Sequence, residues 1–330
     1  MVLKVDIRVP VGLPVPETAD FIAECETAGF SGVGVHDHQH SGRDVYLTLA
    51  LAAERTSKIH LYPATSNPVT RHPSVLASVA QTLNEIAPGR MLLTLGPGYL
   101  AVKSIGLPKA TLKTMREAIL AIRRLLRGET VTFNGAETKL RNVSDPPPPI
   151  FMLAAGPKMM ELAGEVADGV MMLVGLHPLA IAAARRKLET GAERAGRDLK
   201  DFRTIYITPM TVAEDGRDAR RWPQRWFNPT QPYLMYPSKA NLVWLRESGI
   251  DLPEDIVPEQ IGDDLAEKIC DAFGLFGTAE ECLHRLKRAA SESGIEQVFI
   301  FPTHTQDGGY DMPRPEVEAF KNVIFPGLRG

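Results

Sequence analysis

Three histidines and an aspartate form the cluster with the widest chemical scope in this sequence. His36, Asp37, His38 and His40 follow directly after an apolar run over 31–35. An imidazole with an unperturbed pKa gains and loses a proton near pH 7, so one of these histidines could act as a hydrogen-bond donor or a general acid. For His36 and His40, a partly buried imidazole bonded to the backbone is the alternative.

A metal site is a second interpretation of this cluster. The pair His36 and His38 could bind zinc in a barrel hydrolase, with His177 and His304 as distant ligands. Such centres also require a carboxylate and a lysine on further strands, and none stands out in the sequence. We therefore assign no metal ligand and keep the hydrolase as an alternative function.

A glycine turn farther along the chain could bind phosphate. It follows an apolar run typical of a buried strand, and apolar residues at helical spacing come after it. Ala155 and Gly156 add no bulk, and Pro157 is tolerated where a helix begins. Gly156, Lys158 and Met159 could each donate a backbone N–H to an anion at the positive end of the helix dipole. An ordinary tight turn fits the local sequence equally well.

Strand and helix patterns alternate along the chain and must position these residues. The eight predicted strands cover residues 2–9, 31–35, 58–65, 91–95, 150–153, 169–174, 203–212 and 297–301. Asn134 and Gly135 predict a hairpin turn inside 131–140. Eight strands alternating with helices suffice to close a (β/α)8 TIM barrel. We predict a single α/β barrel domain over 1–330, with an open doubly wound sheet as the alternative.

One segment, 221–264, breaks this alternation before the last strand. Its aromatic residues include all three tryptophans of the protein and are Trp222, Trp226, Phe227, Tyr233, Tyr236 and Trp244. A long excursion from a barrel usually covers the active face, so we predict an insertion that acts as a substrate lid. A small satellite core packed on the barrel wall is the alternative.

Composition excludes several classes of function. The chain has 330 residues with 37 basic and 40 acidic side chains and no dense basic run, so nucleic acid is not expected as a partner. No apolar run reaches membrane-spanning length, and the first residues lack the apolar core of a signal peptide. Cys25, Cys270 and Cys282 show neither metal nor redox spacing, and an odd count fits a reducing compartment. We expect a soluble protein of the cytoplasm.

In a barrel, the carboxyl ends of the strands carry the functional residues. Short stretches at these ends, and a few beyond them, form a pattern by their order and spacing: 37–38, 43–46, 65–73, 96–98, 155–159, 167–170 and 277–278. This pattern resembles the luciferase-like flavin and deazaflavin barrel family, and within it the coenzyme F420-dependent branch typified by methylene-tetrahydromethanopterin reductases. The resemblance covers nearly the whole chain except the aromatic segment.

The resemblance implies a binding site for coenzyme F420, an 8-hydroxy-5-deazaflavin. The residues that it assigns to the coenzyme are Ala64, Thr65, Ser66, Asn67, Gly96, Gly98, Ala155, Gly156, Pro157, Lys158 and Met159. Within this set, the turn at Gly156 would hold the coenzyme phosphate. The peptide between Ala64 and Thr65 would be a non-prolyl cis bond under the ring, and Ser66 and Asn67 would contact the ring or its side chain.

The resemblance also implies a reaction, the transfer of a hydride between C5 of the deazaflavin and a small organic substrate. His38 is the expected proton donor, with Asp37 orienting it and Tyr99 as the second candidate. Tyr99 stands where many relatives carry an acidic residue, and a tyrosine is a poor base near neutrality. Relatives often carry a tryptophan after the histidine that corresponds to His38, and this tryptophan is also absent here.

Two further functions stay open within the same fold. Reduced FMN in place of the deazaflavin would make the protein a luciferase-like monooxygenase, and a flavin-binding barrel without catalysis is also compatible with the residues. The resemblance implies a homodimer. The substrate is not specified by the sequence.

Overall fold

Parallel strands wound into a barrel organise the structure. The computed structural model describes residues 3–226, 239–304 and 307–330. Its strands are β1 (Lys4–Val9), β2 (Gly32–Val35), β3 (His60–Pro63), β4 (Leu93–Leu95), β5 (Val131–Phe133), β6 (Ala136–Thr138), β7 (Ile150–Ala154), β8 (Gly169–Met172), β9 (Arg203–Val212), β10 (Leu275–Gly277) and β11 (Gln297–Pro302).

Helices surround these strands and connect most of them. They are α1 (Val15–Ala28), α2 (Val45–Arg55), α3 (Pro73–Ile86), α4 (Leu100–Lys103), α5 (Leu112–Leu126), α6 (Pro157–Val166), α7 (Pro178–Arg194), α8 (Gly216–Arg220), α9 (Trp222–Trp226), α10 (Lys239–Glu247), α11 (Asp263–Phe273), α12 (Ala279–Ser293), α13 (Arg314–Ala319) and α14 (Phe325–Arg329). A π-helical turn, Phe320–Ile324, joins the last two helices.

The strands close into the predicted barrel. They pair in the order β3-β2-β1-β11-β9-β8-β7-β4, and these pairings are parallel. Single bridges between Leu61 and Met91 and between Ser66 and Leu95 join the two edges at β3 and β4. The (β/α)8 TIM barrel is therefore confirmed, and the open doubly wound sheet is wrong.

One strand of the sheet was not predicted from the sequence. β10 pairs with β9 over 210–212, beyond the stretch 206–210 where β9 pairs with β11. Three residues are too few to show an alternating pattern, so the sequence gives little sign of this strand. Thr278 follows it and begins α12 through a capping box with Glu281.

The hairpin predicted between two short strands is confirmed. β5 and β6 pair antiparallel, with Asn134 and Gly135 between them. Both turn residues have positive φ, 49° and 82°. A two-residue turn that follows the right-handed strand twist requires this conformation, and asparagine and glycine adopt it at low cost.

Two glycines let helices α6 and α7 pack with their backbones in contact. A methyl group at Gly164 would lie 2.0 Å from the Leu188 carbonyl oxygen, and one at Gly191 would lie 1.7 Å from the Glu161 carbonyl oxygen. Real side-chain carbons cannot approach a backbone oxygen so closely. These two positions therefore set the spacing of the helix pair behind β7 and β8.

The aromatic segment 221–264 packs partly into the barrel wall. Trp222 lies 5.3 Å from the ring of Phe276, and Trp244 is buried and donates its Nε1–H to the Ala155 carbonyl at 2.6 Å. These two contacts fit a satellite core; a lid function stays a prediction. Three further aromatic residues of the segment lie outside the described residues: Phe227, Tyr233 and Tyr236.

The described residues also bear on the expected cellular setting. Among the described helices, none has both the length and the apolar character needed to cross a membrane. Cys25, Cys270 and Cys282 are buried and form no disulfide. Burial raises the pKa of each thiol, so these cysteines are poor nucleophiles and act as small core residues.

Candidate active site

A cavity of about 230 Å³ opens at the carboxyl ends of the barrel strands. Seven of the predicted site residues line it: Asp37, His38, Ala64, Thr65, Asn67, Gly98 and Tyr99. They come from the ends of β2, β3 and β4, which are adjacent around the barrel. Strand-end positions that are far apart in sequence therefore meet in one site, as the barrel topology predicted.

The other predicted residues lie outside the lining of this cavity. Ser66 is fully buried beneath the wall, and Gly96 packs against Thr65. The turn over 155–159 follows β7, whose residue Leu153 does line the cavity. The turn thus lies at the same end of the barrel, next to the cavity rather than in its wall.

The wall at the end of β3 has the backbone shape that the resemblance implied. The peptide between Ala64 and Thr65 is cis. A methyl group at Gly96 would lie 2.6 Å from Thr65 Oγ1, so glycine lets the end of β4 pack directly behind this peptide. Gly98 has φ of 80° and would place a methyl group 2.3 Å from Val102, so it too requires glycine.

The three histidines stack in a row that runs from the core towards the surface. The ring centres of His36 and His38 are 4.8 Å apart, and those of His38 and His40 are 5.1 Å apart. His36 is buried and accepts a hydrogen bond from Nε of Arg8, so its partner is a side chain and not the backbone. His40 is exposed and hydrogen-bonded to the Tyr310 hydroxyl at 2.9 Å.

His38 lines the cavity, as His36 does, and is the less deeply buried of the two. Burial lowers its pKa to about 4, with smaller contributions from His40 and Arg8. The pKa of His36 is also lowered, well below its usual range, by burial and then by Arg8. His38 is therefore a neutral imidazole at pH 7, which can donate one hydrogen bond and accept another. The resemblance implied that His38 is the proton donor, and this role stays a prediction.

We expect His38 to titrate near pH 4 in the folded protein, because desolvation disfavours the imidazolium. Two-bond ¹H–¹⁵N spectra of ¹⁵N-histidine-labelled protein, recorded between roughly pH 4 and 8, measure this directly. A His38→Gln variant identifies the signal. Since the folded pKa is depressed, His38 favours folding above its ordinary pKa and this stability is lost as pH falls towards 4. A His38 signal with a midpoint at 6.5 or above would contradict the prediction.

The resemblance implied that Asp37 orients His38. The structure instead pairs Asp37 with other residues. Its carboxylate accepts hydrogen bonds from Nε and Nη2 of Arg71, both at 3.0 Å, and from the Ser66 hydroxyl at 2.6 Å. Successive residues of an extended strand end point to opposite sides, so neighbours in sequence need not contact one another. Asp37 instead joins the β2 end to the loop after β3.

The turn at Gly156 has the features of an anion site. Gly156 is the N-cap of α6, and the first helical hydrogen bond runs from Met160 N–H to the Gly156 carbonyl. The N–H groups of Lys158 and Met159 precede that bond and point out of the helix end. A methyl group at Gly156 would lie 3.6 Å from Ala240 of α10, so the turn is approached closely by that helix.

Two of the histidines proposed as metal ligands make other hydrogen bonds in the structure. Nε2 of His36 accepts the Arg8 hydrogen bond, and His177 uses Nδ1 to cap α7 through the Leu179 N–H at 3.3 Å. Over 3–226, 239–304 and 307–330, no three histidine, cysteine or acidic side chains are placed to share a metal ion.

Sequence reasoning missed several residues of the site. Arg8 is 2% exposed, lines the cavity and stacks 4.8 Å from the ring centre of Phe301. Arg8 follows Lys4 and Asp6 in the alternating pattern of β1, so its charge gave no distinct signal in the sequence. Tyr310 and Gly309 also line the cavity, but they follow the last strand and become part of the site only by chain folding.

Comparison with known proteins extends this description. The profile of the luciferase-like monooxygenase family matches residues 4–297. A 5,10-methylenetetrahydromethanopterin reductase of Methanolobus tindarius is 32% identical over 301 residues, covering 86% of this chain and 90% of that protein. An F420-dependent glucose-6-phosphate dehydrogenase of Nakamurella multipartita is 31% identical over 238 residues, 65% of this chain and 70% of that protein.

Solved structures share the whole fold. The coenzyme F420-dependent tetrahydromethanopterin reductase of Methanopyrus kandleri has a TM-score of 0.74 at 24% identity, covering 99% of this chain and 100% of that one. An F420-dependent secondary alcohol dehydrogenase also gives 0.74, at 18% identity and full coverage of both chains. At these identities the likeness concerns the fold, whereas the family profile covers most of the sequence as well. The chain therefore belongs to the luciferase-like monooxygenase family.

Proposed function

We propose that the protein is a coenzyme F420-dependent oxidoreductase that transfers a hydride between the deazaflavin and a small organic substrate. The observation that carries this proposal is the cavity that joins neutral His38 to the walls from β3 and β4, beside the anion turn of Gly156. Two relatives named as F420-dependent enzymes, matched over 65% and 88% of this chain, support the choice of coenzyme.

The cavity residues fit a planar, largely apolar ring. Ala64, Pro97, Ala101 and Leu153 provide apolar walls, and Asn67 brings an amide group to the lining. The amide oxygen of Asn67 already accepts the N–H groups of Val69 and Thr70, which fixes its orientation. Such a box suits a neutral heterocycle whose edge carries hydrogen-bonding groups.

The Gly156 turn would hold the coenzyme phosphate. Its free N–H groups and the helix dipole attract an anion, and the exposed side chain of Lys158 adds a positive charge nearby. We assign the predicted set 155–159 to this role, with Trp244 fixing the turn through the Ala155 carbonyl. Segment 221–264, through α10, would then complete the coenzyme site.

His38 would act on the substrate oxygen. Coenzyme F420 would supply the hydride chemistry when bound. The neutral imidazole of His38 would accept the hydroxyl proton of an alcohol during its oxidation and would return that proton in the reverse direction. Burial keeps the imidazole neutral, so it is ready to accept at pH 7. Tyr99, which lines the same cavity beneath the ammonium of Lys109 at 4.3 Å, is the second candidate donor.

A direct test compares two coenzymes. Purified protein is titrated with oxidised F420 and with FMN, and binding is followed by fluorescence quenching. We expect F420 to bind at least about tenfold more tightly than FMN.

The alternative function, an FMN-dependent monooxygenase, is favoured by the family name and by the fold shared with a long-chain alkane monooxygenase. Tighter FMN binding, with oxygen consumption by the reduced complex, would replace our proposal with that one.

Turnover separates an enzyme from a flavin-binding barrel. F420 reduction is measured with secondary alcohols and sugar phosphates, and F420H₂ oxidation with a methylene-pterin, because the names of the relatives cover these classes. Loss of F420 absorbance, or its return from the reduced coenzyme, with one of them is expected. No change with any class, despite tight binding, would support a non-catalytic role.

We also propose that the protein is a homodimer through α2 and α3. Leu47 of α2 and Val75 of α3 are 68% and 50% exposed on adjacent helices. Exposed apolar side chains on neighbouring helices are typical of an interface. A Leu47→Glu, Val75→Glu variant should run as a monomer in light scattering, while Leu179→Glu, at a 59% exposed position on α7, should keep the wild-type mass. An unchanged mass for the double variant would contradict this interface.

The three buried, unpaired cysteines support a further proposal, that the protein acts in the cytoplasm, where thiols stay reduced. Recovery of the native protein in the secreted or membrane fraction of its cells would contradict it.

A further inference from the structure

Arg71 does not line the cavity, but it binds a residue that does. It lies in the loop after β3, and its guanidinium binds the Asp37 carboxylate through two parallel hydrogen bonds of 3.0 Å. Its Nη2 also donates to Asp44 at 2.7 Å. Asp37 is 5% exposed and lines the cavity, so the guanidinium stands behind a carboxylate that faces the coenzyme site.

A closed ring of contacts holds this pair rigid. The Arg71 guanidinium lies 4.9 Å from the ring centre of Tyr46. The Tyr46 hydroxyl is 2.7 Å from the Ser66 hydroxyl, which donates to the same Asp37 oxygen that Arg71 Nε binds. Bidentate geometry, stacking and a buried hydroxyl therefore fix the carboxylate in one orientation.

The charges of this group act on the cavity. Asp37, Asp44 and Arg71 together carry one net negative charge, and without Arg71 they would carry two. Burial of Asp37 places this charge where water screens it weakly. Arg71 itself is held positive by both carboxylates, which raise its pKa although burial opposes this.

We propose that Arg71 is a positioning residue that sets the redox balance of the bound deazaflavin through Asp37. This inference rests on the proposed function. A hydride carries two electrons and one proton, so the ring would gain one negative charge on accepting it without a second proton, and a carboxylate in the wall would disfavour that reduced form. The paired guanidinium offsets that repulsion. Arg71 thus favours the reduced coenzyme relative to the oxidised one, with no contact to either.

The test measures two dissociation constants for each variant, because their ratio reports the redox balance without turnover. Oxidised F420 is titrated by fluorescence quenching, and reduced F420 by anaerobic competition against it. For Arg71→Met we expect reduced coenzyme to lose at least about tenfold in affinity relative to oxidised coenzyme. A tenfold change in this ratio corresponds to a midpoint potential about 30 mV lower for a two-electron couple.

Asp37→Asn should change the ratio in the opposite direction, since Asp44 and Arg71 would then leave the group with no net charge instead of one negative charge. General damage to the site would not give opposite signs in two variants. The double variant Asp37→Asn, Arg71→Met should return towards the wild-type ratio. Arg71→Lys keeps the charge without the bidentate geometry and should rescue part of the effect.

A matched control is the Arg116–Glu165 pair on α5 and α6. It has the same bidentate geometry, at 2.7 and 2.6 Å, outside the cavity lining. Arg116→Met should leave the ratio unchanged. If Arg71→Met and Asp37→Asn alter both dissociation constants in parallel, the inference is overturned and Arg71 is structural. If wild-type protein binds neither form of F420, the proposed function itself fails, which is a distinct result.

Discussion

Replacing Gly156 by aspartate should weaken coenzyme F420 binding by at least about 100-fold, or about 2.7 kcal/mol, while the protein stays folded. Aspartate is a favourable N-cap, so its carboxylate can accept the free N–H groups at the start of α6 and stabilise the helix. The same carboxylate would occupy the proposed phosphate position and repel the coenzyme anion. Fluorescence quenching measures the affinity, and thermal unfolding measures the stability.

Gly262 provides the matched control for this experiment. It is the N-cap of α11, has an extended backbone like that of Gly156, and has no atom within 4 Å of an added methyl group. Gly262→Asp should leave coenzyme affinity unchanged. Gly156→Asn, which is similar in size but uncharged, should give an intermediate loss. Wild-type affinity in Gly156→Asp would show that the turn is an ordinary helix start.

Gly191→Ala should destabilise the protein by at least about 2 kcal/mol. In a helix interior, alanine is normally more stabilising than glycine by about 1 kcal/mol. The expected change in the free energy of unfolding therefore has the opposite sign to the intrinsic helix propensity. The reason is the Glu161 carbonyl oxygen, 1.7 Å from the position of the new methyl group, which forces α6 and α7 apart. Denaturant unfolding, monitored by circular dichroism, gives the free energy of unfolding.

Gly327 in α14 separates this backbone clash from the effect of any glycine replacement in a helix. A methyl group there would lie 2.2 Å from Leu283 Cδ2, the end of a side chain that can rotate away. Gly327→Ala should therefore change the free energy of unfolding by less than about 1 kcal/mol. Equal losses in the two variants would mean that the α6–α7 contact is not tightly packed.

The pattern of strands and turns was enough to bring seven of the fourteen predicted site residues into one cavity. The carboxyl ends of the parallel strands all lie at one end of a barrel. Correct prediction of β2, β3 and β4 therefore implied that the residues after these strands lie close together. Asp37, Thr65 and Gly98 are far apart in sequence and meet in one cavity for this reason. The hydrophobic pattern did not predict β10, because a strand of three residues is too short to show an alternation.

Two properties of the site depended on packing that the sequence does not encode locally. The pKa of His38 falls to about 4 because other elements exclude water from it, and the chemistry of an imidazole alone predicts a value near 6.5. The partner of Asp37 is Arg71, 34 residues away, and not the adjacent His38. Sequence adjacency says little about side-chain contact at the end of an extended strand.

By itself, the sequence determined the barrel, the face that carries the site and the helix start that could bind an anion, because these follow from periodicity and from glycine and proline chemistry. The tertiary structure decided the protonation of His38, the pairing of Asp37 with Arg71 and the entry of Arg8 and Tyr310 into the cavity. Those features arise from desolvation and from contacts between distant segments, which exist only once the barrel has closed.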